Sequence, residues 1–407
     1  MNILYLTIAP KISQKMTKDL SDEFVKNGHS VFLVCPCDSN NSVSKKFEIF
    51  EGINYLFVRS GNIVGKISIL KKVVNFLSID FTYKKAIKSA LKGIHIDLVL
   101  YSTPPITLVN TIKWVKRKYS ALTYLMLKDI FPQNAVDIGM LRNYGLTKCI
   151  YSFFRKKEKK MYLCSDYIGC MSEANRQYLI KNNPYLNSNF IGLCYNSYKK
   201  ISNRCIDINA KRKEYGLPED KTIFLYGGNL GKPQGLSFFI EVLKSNIDNN
   251  DIFFFICGNG NDQNKLIEYI DDYKPANVKF INAVSTTEYD ELMQACDVGL
   301  VFLDYNFTIP NYPSRILSIM QNGRPILAAT DNVTDIRQLI QENKLGWWCP
   351  SNDVKRFNTL IEGIKENHQE RIEYGMNSLV YYTSNFVPEI TYDQIINLIG
   401  GGKKANG

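Results

Sequence analysis

The chain has 407 residues, of which 45% are hydrophobic and 22% are charged, so it can bury a large interior and does not have the composition of a disordered protein. This length predicts at least two domains. The net charge of +11 is distributed unevenly. Residues 1–200 hold 30 Lys and Arg against 13 Asp and Glu (+17), whereas residues 201–407 hold 20 against 26 (−6). One basic and one acidic half indicate two domains with different partners.

The sequence also lacks the signatures of several protein classes. No run reaches the roughly 18 uncharged apolar residues that a membrane span needs, and residues 1–8 have the pattern of a β-strand and not of a signal peptide. The ten cysteines form no C-x-x-C pair, which predicts reduced thiols in a cytoplasmic protein. The three histidines are far apart and form no paired ligand motif, so no metal site is predicted.

The first half alternates strand-like and helix-like segments, a pattern that predicts a parallel sheet wrapped by helices. The predicted strands are 2–7, 30–36, 55–59, 97–102, 122–127, 166–171 and 189–194. The predicted helices are 14–27, 66–92, 105–118, 147–163 and 173–182.

The second half repeats this alternation after a polar linker at 196–220. Its predicted strands are 222–226, 252–257, 278–281, 298–302 and 325–328, and its predicted helices are 234–246, 261–273, 286–295, 314–322, 332–342 and 353–367. The predicted domains are 1–197 and 198–384, with a helix near 385–400 that packs back on the first. Ligands of such sheets bind beyond the carboxyl ends of the strands, so the chemistry is expected in those loops.

The strongest local motif is the glycine-rich segment 226–236, YGGNLGKPQGL, between a buried strand and a helix. Glycines allow a ligand to approach the backbone closely, and a helix N-terminus offers free N–H groups, so the segment predicts phosphate binding. It is not a Walker loop, because Tyr226 stands at the first glycine position and Pro233 follows Lys232. A tight strand–helix turn without a ligand is the alternative.

Two further segments are weaker candidates. Gly258-Asn-Gly260 follows a predicted strand but has only part of a dinucleotide fingerprint, so a simple turn is favoured there. Pro313 and Ser314 begin a predicted helix, with Ser314 as its expected cap. Arg315 then falls in the first turn, where a cation opposes the helix dipole. A bound anion explains that position, and a solvated arginine is the alternative.

These motifs together resemble those of GT-B glycosyltransferases, and more narrowly the retaining family 4 enzymes in the WbuB-like branch that builds bacterial surface polysaccharides. The resemblance covers nearly the whole chain. Its motifs are the NGHSV turn at 27–31, the LKDIFP segment at 127–132, the YIGCMS strand at 167–172, the glycine-rich segment and the PSRILSIM helix at 313–320. It implies an α/β GT-B fold of two Rossmann-like doubly wound domains facing a central cleft.

The resemblance also implies a donor site in the second domain. The family's Arg and Lys, five residues apart, fall on Asn229 and Gln234, which leaves Lys232 as the replacement cation and a catalytic candidate. The family's two glutamates fall on Pro310 and Ser318, so its carboxylate clamp on the donor ribose is absent. The remaining donor-binding candidates are Gly228, Gly258, Asn282, Val284, Pro313, Ser314 and Arg315.

The first domain is expected to serve the acceptor. Asp129, at the end of a predicted strand, is a catalytic candidate for contact with the sugar or the acceptor hydroxyl, and capping of a local turn is its alternative role. His29 is expected to be structural. Basic stretches with aromatic neighbours, such as 153–161, predict contact with an anionic membrane surface, with ordinary solvated faces as the alternative. No nucleic-acid-binding motif is present, so no nucleic acid partner is predicted.

The resulting expectation is a metal-independent retaining glycosyltransferase that needs no cofactor. It moves a sugar from a nucleoside-diphosphate sugar, by likeness a UDP-N-acetylated sugar, to a polyprenyl-diphosphate-linked saccharide in capsule or O-antigen synthesis. The expected location is the cytoplasm, peripheral on the inner face of the bacterial plasma membrane. The alternatives are a catalytically silent GT-B scaffold subunit and a GT-B-like nucleotide-sugar 2-epimerase.

Overall fold

The computed structural model describes residues 1–9, 15–37, 47–59, 69–142, 144–145, 148–201 and 206–405. Pro10 and Lys11 of the first β–α loop lie outside the described residues, as does the start of the predicted helix at 66–92. For residues 69–77 of that helix, the structure describes the backbone and not the side chains. The chain divides into two compact units, residues 1–199 with 388–407, and residues 200–387.

The N-terminal unit contains an eight-stranded sheet in the order β3-β4-β2-β1-β5-β6-β7-β8. All neighbouring strands are parallel except β3 and β4. Its strands are β1 Asn2–Leu6, β2 Ser30–Pro36, β3 Phe47–Phe50, β4 Ile53–Val58, β5 Leu98–Ser102, β6 Leu122–Leu127, β7 Tyr167–Cys170 and β8 Ile191–Leu193. Its first helices are α1 Lys15–Lys26, α2 Ile69–Ala90, α3 Val109–Tyr119, α4 Gln133–Asp137, α5 Lys148–Cys164 and α6 Glu173–Asn182.

The C-terminal unit contains a six-stranded parallel sheet in the order β11-β10-β9-β12-β13-β14. Its strands are β9 Thr222–Asn229, β10 Ile252–Asn259, β11 Val278–Ile281, β12 Val298–Phe302, β13 Ile326–Thr330 and β14 Gly346–Pro350. Its helices are α7 Ile208–Glu214, α8 Leu236–Ser245, α9 Gln263–Tyr273, α10 Thr286–Ala295, α11 Arg315–Gln321, α12 Ile336–Glu342, α13 Val354–Glu366 and α14 His368–Asn385.

The last helix, α15 (Pro388–Ala405), belongs to the N-terminal unit. Ile395 and Ile399 are buried in the core of that unit. The burial of these apolar side chains stabilises the packing of α15 on the N-terminal unit. His29 Nε2 lies 3.1 Å from the Tyr392 hydroxyl on α15, so this histidine links two elements of the fold. Both cores are built from the alternating inward residues of the strands, with a Phe-rich cluster in the C-terminal unit.

Candidate functional site

Strands β9 and β10 are longer than the apolar pattern predicts, because they continue through the glycines to Asn229 and Asn259. Gly228 pairs with Gly258 in this extension. A Cβ atom on Gly258 would lie 1.9 Å from the carbonyl oxygen of Gly228, so no side chain fits there. The predicted strand ends at 226 and 257 are therefore wrong, and Gly258 lies within a close backbone pairing at the carboxyl edge of the sheet.

The residues after β9 form a short turn held by side chains. Asn229 Nδ2 donates to Gln234 Oε1 at 2.8 Å, and the Tyr226 hydroxyl donates to the Asn229 carbonyl at 2.7 Å. One 3₁₀ turn, Lys232–Gln234, precedes α8, and Lys232 is exposed. The two positions that hold a cation pair in the family therefore hold a mutually bonded pair of amides.

Arg315 lies against this glycine segment. Its guanidinium carbon is 4.7 Å from the centroid of the Tyr226 ring, and a Cβ atom on Gly228 would lie 3.5 Å from Arg315 Nη2. Arg315 Nη1 is buried and has no hydrogen-bond partner among the residues that the structure describes. Buried polar atoms are almost always paired, and guanidinium bonds to oxyanions are among the strongest in proteins. An anion bound beside Gly228 would lie nearest to Arg315 Nη2, on a guanidinium whose Nη1 leaves hydrogen-bonding capacity unused.

The residues around Arg315 divide into those near the glycine segment and those with other partners. Pro313 and Ser314 are half-buried and precede α11. Ser314 occupies the predicted N-cap position, but its side chain makes no capping hydrogen bond. Ser318 Oγ donates to Asp290 Oδ1 at 3.2 Å, and this buried oxygen also accepts from Gln321 and Asn322. Because its proton is used, Ser318 Oγ is left as an acceptor for a ligand hydroxyl.

Asn282 and Val284 follow β11 and lie beside the end of β10. The Cys257 thiol donates to the Asn282 carbonyl at 3.6 Å, and the backbone N–H of Ala283 donates to Asn259 Oδ1 at 3.3 Å. The loop after β11 is thus joined to the end of β10. The sequence pattern alone did not single out Tyr226 and Asp290, which position Arg315 and Ser318. Their contacts span 89 and 28 positions of the chain.

Asp129 follows β6 in the N-terminal unit, so it belongs to a different unit from the residues above. Its Oδ1 accepts from Asn134 Nδ2 at 2.5 Å, and its backbone carbonyl accepts from Thr103 Oγ1 at 2.9 Å. Burial raises the pKa of Asp129 to about 6. The bond to Asn134 joins Asp129 to helix α4, which follows Pro132.

The next two features are groups of metal ligands and membrane-spanning helices. Among them, no three His, Cys, Asp or Glu side chains are grouped to hold a metal ion. No helix in the described part of the chain is long and apolar enough to cross a membrane.

Known proteins are similar to parts of this chain. Residues 207–378 match the family model described as "Glycosyl transferases group 1". WbjE of Pseudomonas aeruginosa, named as a probable glycosyltransferase, is 25% identical over 66% of this chain and 66% of its own length. WcaI of Escherichia coli (strain K12), named for colanic acid biosynthesis and glycosyl transfer, is 27% identical over 33% of each chain. These matched stretches span less than two thirds of either relative.

A solved structure extends the comparison to the fold. The crystal structure of Anabaena Alr3699/HepE in complex with UDP is similar over 98% of this chain and 100% of its own, with a TM-score of 0.69 at 13% identity. Two α/β units with parallel sheets and this similarity define the GT-B fold, which confirms the predicted fold class. Within the C-terminal unit, residues 207–378 are similar to the glycosyl transferases group 1 family.

Proposed function

We propose that the protein transfers a sugar from a nucleoside-diphosphate sugar to a saccharide carried on a polyprenyl diphosphate, in the synthesis of a bacterial surface polysaccharide. The observation that carries the proposal concerns the Arg315 guanidinium, in the stretch that matches the group 1 family model. Its Nη2 lies nearest to Gly228, and its Nη1 is buried with no hydrogen-bond partner among the described residues. A diphosphate supplies the acceptor oxygens that this guanidinium needs.

The proposed chemistry is electrostatic. When the bond between sugar and diphosphate breaks, negative charge grows on the leaving phosphate oxygen. Arg315 is held against the Tyr226 ring before the reaction, so it stabilises that charge without reorganisation. Lys232 adds a more exposed positive charge nearby in the chain. Arg315 and Lys232 supply the charge neutralisation, so we propose a metal-independent reaction. Retention of the anomeric configuration is carried over from the family 4 resemblance.

The donor proposal has support from the comparisons and from the site. HepE was solved in complex with UDP, and its fold covers nearly the whole of this chain. Ser318 Oγ, with its proton donated to Asp290, is an acceptor suited to a ribose hydroxyl. We therefore propose a UDP-sugar, and an N-acetylated sugar by likeness to the WbuB-like branch. The colanic acid role in WcaI's name supports a capsular or O-antigen polysaccharide as the product.

The acceptor proposal rests on the basic N-terminal unit, and α5 is its clearest part. Lys148, Lys156, Lys159 and Lys160 are exposed on α5, as are the apolar side chains of Ile150, Phe153 and Leu163. The one acidic residue of the helix, Glu158, is buried and paired with Arg155. An exposed face with both cations and apolar groups fits an anionic lipid surface. We propose that the protein works peripherally on the inner face of the plasma membrane.

The proposal is tested by thermal unfolding with UDP, GDP and dTDP at millimolar concentration. A ligand that binds only the native state raises the unfolding temperature, so UDP should raise it most. Nucleotide-sugar screening should then show transfer to a lipid-linked acceptor. No shift with any nucleotide overturns the enzyme proposal and favours a silent scaffold subunit. Turnover of a nucleotide sugar without a lipid acceptor favours a 2-epimerase.

A further inference from the structure

A small pocket in the N-terminal unit lies at the carboxyl ends of β1, β6 and β8. It is open to solvent and is lined by Lys128 after β6, by Asn196 after β8, and by Tyr5, Met16, Met126 and Cys194 among others. Ligands of parallel α/β sheets bind at this edge. The residues proposed above for binding the nucleotide sugar lie in the other unit.

Two side chains that line this pocket carry hydrogen-bond donors whose acceptors in the described structure are sulfur atoms. Lys128 Nζ lies 3.6 Å from Met16 Sδ, and Asn196 Nδ2 lies 3.0 Å from Met171 Sδ. Neither atom bonds to an oxygen among the residues that the structure describes. A thioether is a weak acceptor, so both donors retain most of their hydrogen-bonding capacity.

Other lysines of the same unit have carboxylate partners. Lys116 Nζ lies 2.6 Å from Asp166 Oδ1, and Lys18 Nζ lies 2.8 Å from Asp22 Oδ2. Lys128 has no such carboxylate in the described structure, and burial lowers the pKa of its ammonium. The pocket's Cys194 does not supply a negative charge, because burial raises the pKa of its thiol to about 11. Lys128 is half-buried, so its ammonium loses part of its hydration, and an anionic ligand would supply the missing charge partner.

We infer that this pocket binds a small oxyanion, a phosphate or carboxylate group, with Lys128 and Asn196 as its donors. The anion supplies the oxygen acceptors that Met16 and Met171 replace poorly. The site itself stands independently of the proposed function. Its assignment to the diphosphate of a lipid-linked acceptor, instead of a free anion, rests on that proposed function.

The test is thermal unfolding with inorganic phosphate and pyrophosphate at constant ionic strength, in an Arg315→Ala background that weakens the donor site. At about 5 mM, either anion should raise the unfolding temperature by about 2–5 °C. Lys128→Met, which keeps the apolar stem, should abolish the rise. The matched control is Lys156→Met on the exposed face of α5, which should keep it.

Lys128→Met should also unfold at the same temperature as its parent or higher without anion, because a half-buried cation with no carboxylate partner in the described structure is removed. An anion shift that survives in Lys128→Met overturns the inference, and so does the absence of any shift in the parent. An isoprenyl diphosphate that binds at least tenfold tighter than pyrophosphate, in a Lys128-dependent manner, assigns the site to the acceptor. Equal binding assigns it to the free anion. UDP binding is measured separately, so its loss or presence does not affect this outcome.

Discussion

The Arg315 guanidinium packs over the ring of Tyr226, with 4.7 Å between the guanidinium carbon and the ring centroid. Tyr226 is the last apolar residue of β9 before the glycines, and its hydroxyl is bonded to the Asn229 carbonyl. The Tyr226 side chain therefore contacts both the glycine-rich segment and the Arg315 guanidinium. A guanidinium stacked on a fixed ring loses little freedom when an anion binds, which favours tight recognition of a diphosphate.

Lys232 should contribute less to UDP binding than Arg315. It is exposed, and exposed charges are screened by water and salt. Lys232→Ala should weaken UDP binding about two- to fivefold at low salt, and the difference should shrink in about 0.5 M salt. Calorimetric titration at the two salt concentrations checks this. A loss above about tenfold that persists at high salt would give Lys232 a direct contact that its exposure does not explain.

Asp129 should make stability depend on pH. Its pKa is about 6 in the folded protein against 3.8 normally, so folding favours the protonated carboxyl. The stability it contributes is present below about pH 4 and is lost as the pH rises through 6. Asp129→Asn should therefore have a higher free energy of unfolding than the wild type at pH 7.5, by on the order of 1–2 kcal/mol, and should unfold at a higher temperature. This gain should disappear at pH 4. A variant that is less stable than the wild type at pH 7.5 contradicts the shift.

Two glycines of the C-terminal unit should respond oppositely to alanine. In Gly258→Ala the new methyl group would lie 1.9 Å from the Gly228 carbonyl oxygen, so the strands must separate. The variant should lose about 2 kcal/mol or more of stability and also bind UDP weakly. In α13, no described atom beyond the neighbouring helix backbone lies within 4 Å of a methyl group on Gly363, and Gly363→Ala should gain about 0.5–1 kcal/mol. Denaturant unfolding measures both, and equal effects would contradict the close pairing of β9 and β10.

The exposed face of α5 should bind anionic vesicles. Reversing two of its cations in Lys156→Glu/Lys160→Glu should reduce co-sedimentation with phosphatidylglycerol vesicles at least tenfold, since each basic residue near such a surface contributes about 1 kcal/mol. The control with the same charge change is Lys265→Glu/Lys355→Glu on the exposed surface of the C-terminal unit, and it should bind as the wild type does. Equal loss in both variants would mean that only total charge matters and not this face.

Hydropathy patterns predicted the strand–helix alternation well, because buried parallel strands are continuous apolar runs such as 252–257. They failed where pairing continues without apolar side chains, at Gly227–Asn229 and Gly258–Asn259. They also missed β3, an edge strand with little burial, and β14, a five-residue strand. Short or exposed strands depend on their neighbours for stability, and that information is not local.

In the candidate site too, local patterns predicted single residues and missed the contacts between distant positions. Arg315 was identifiable because a cation in the first turn of a helix is locally unfavourable. Its contact with Tyr226 and the Ser318–Asp290 bond join positions far apart in the chain, so no local pattern predicts them. Lys128 lies in the LKDIFP segment at 127–132. Its contact with Met16, a residue 112 positions earlier, is one that no local pattern predicts.

The most direct test of the central claim is calorimetric titration of UDP into the wild type, Arg315→Ala and Arg337→Ala. Arg337 is a matched control, because its guanidinium also stacks on an aromatic ring, 4.8 Å from that of Trp348 in the same unit. The account predicts that the wild type binds UDP, that Arg315→Ala binds about 10- to 100-fold more weakly, and that Arg337→Ala is unchanged. Wild-type protein that gives no binding heat, or an Arg315→Ala variant with full affinity, would contradict it.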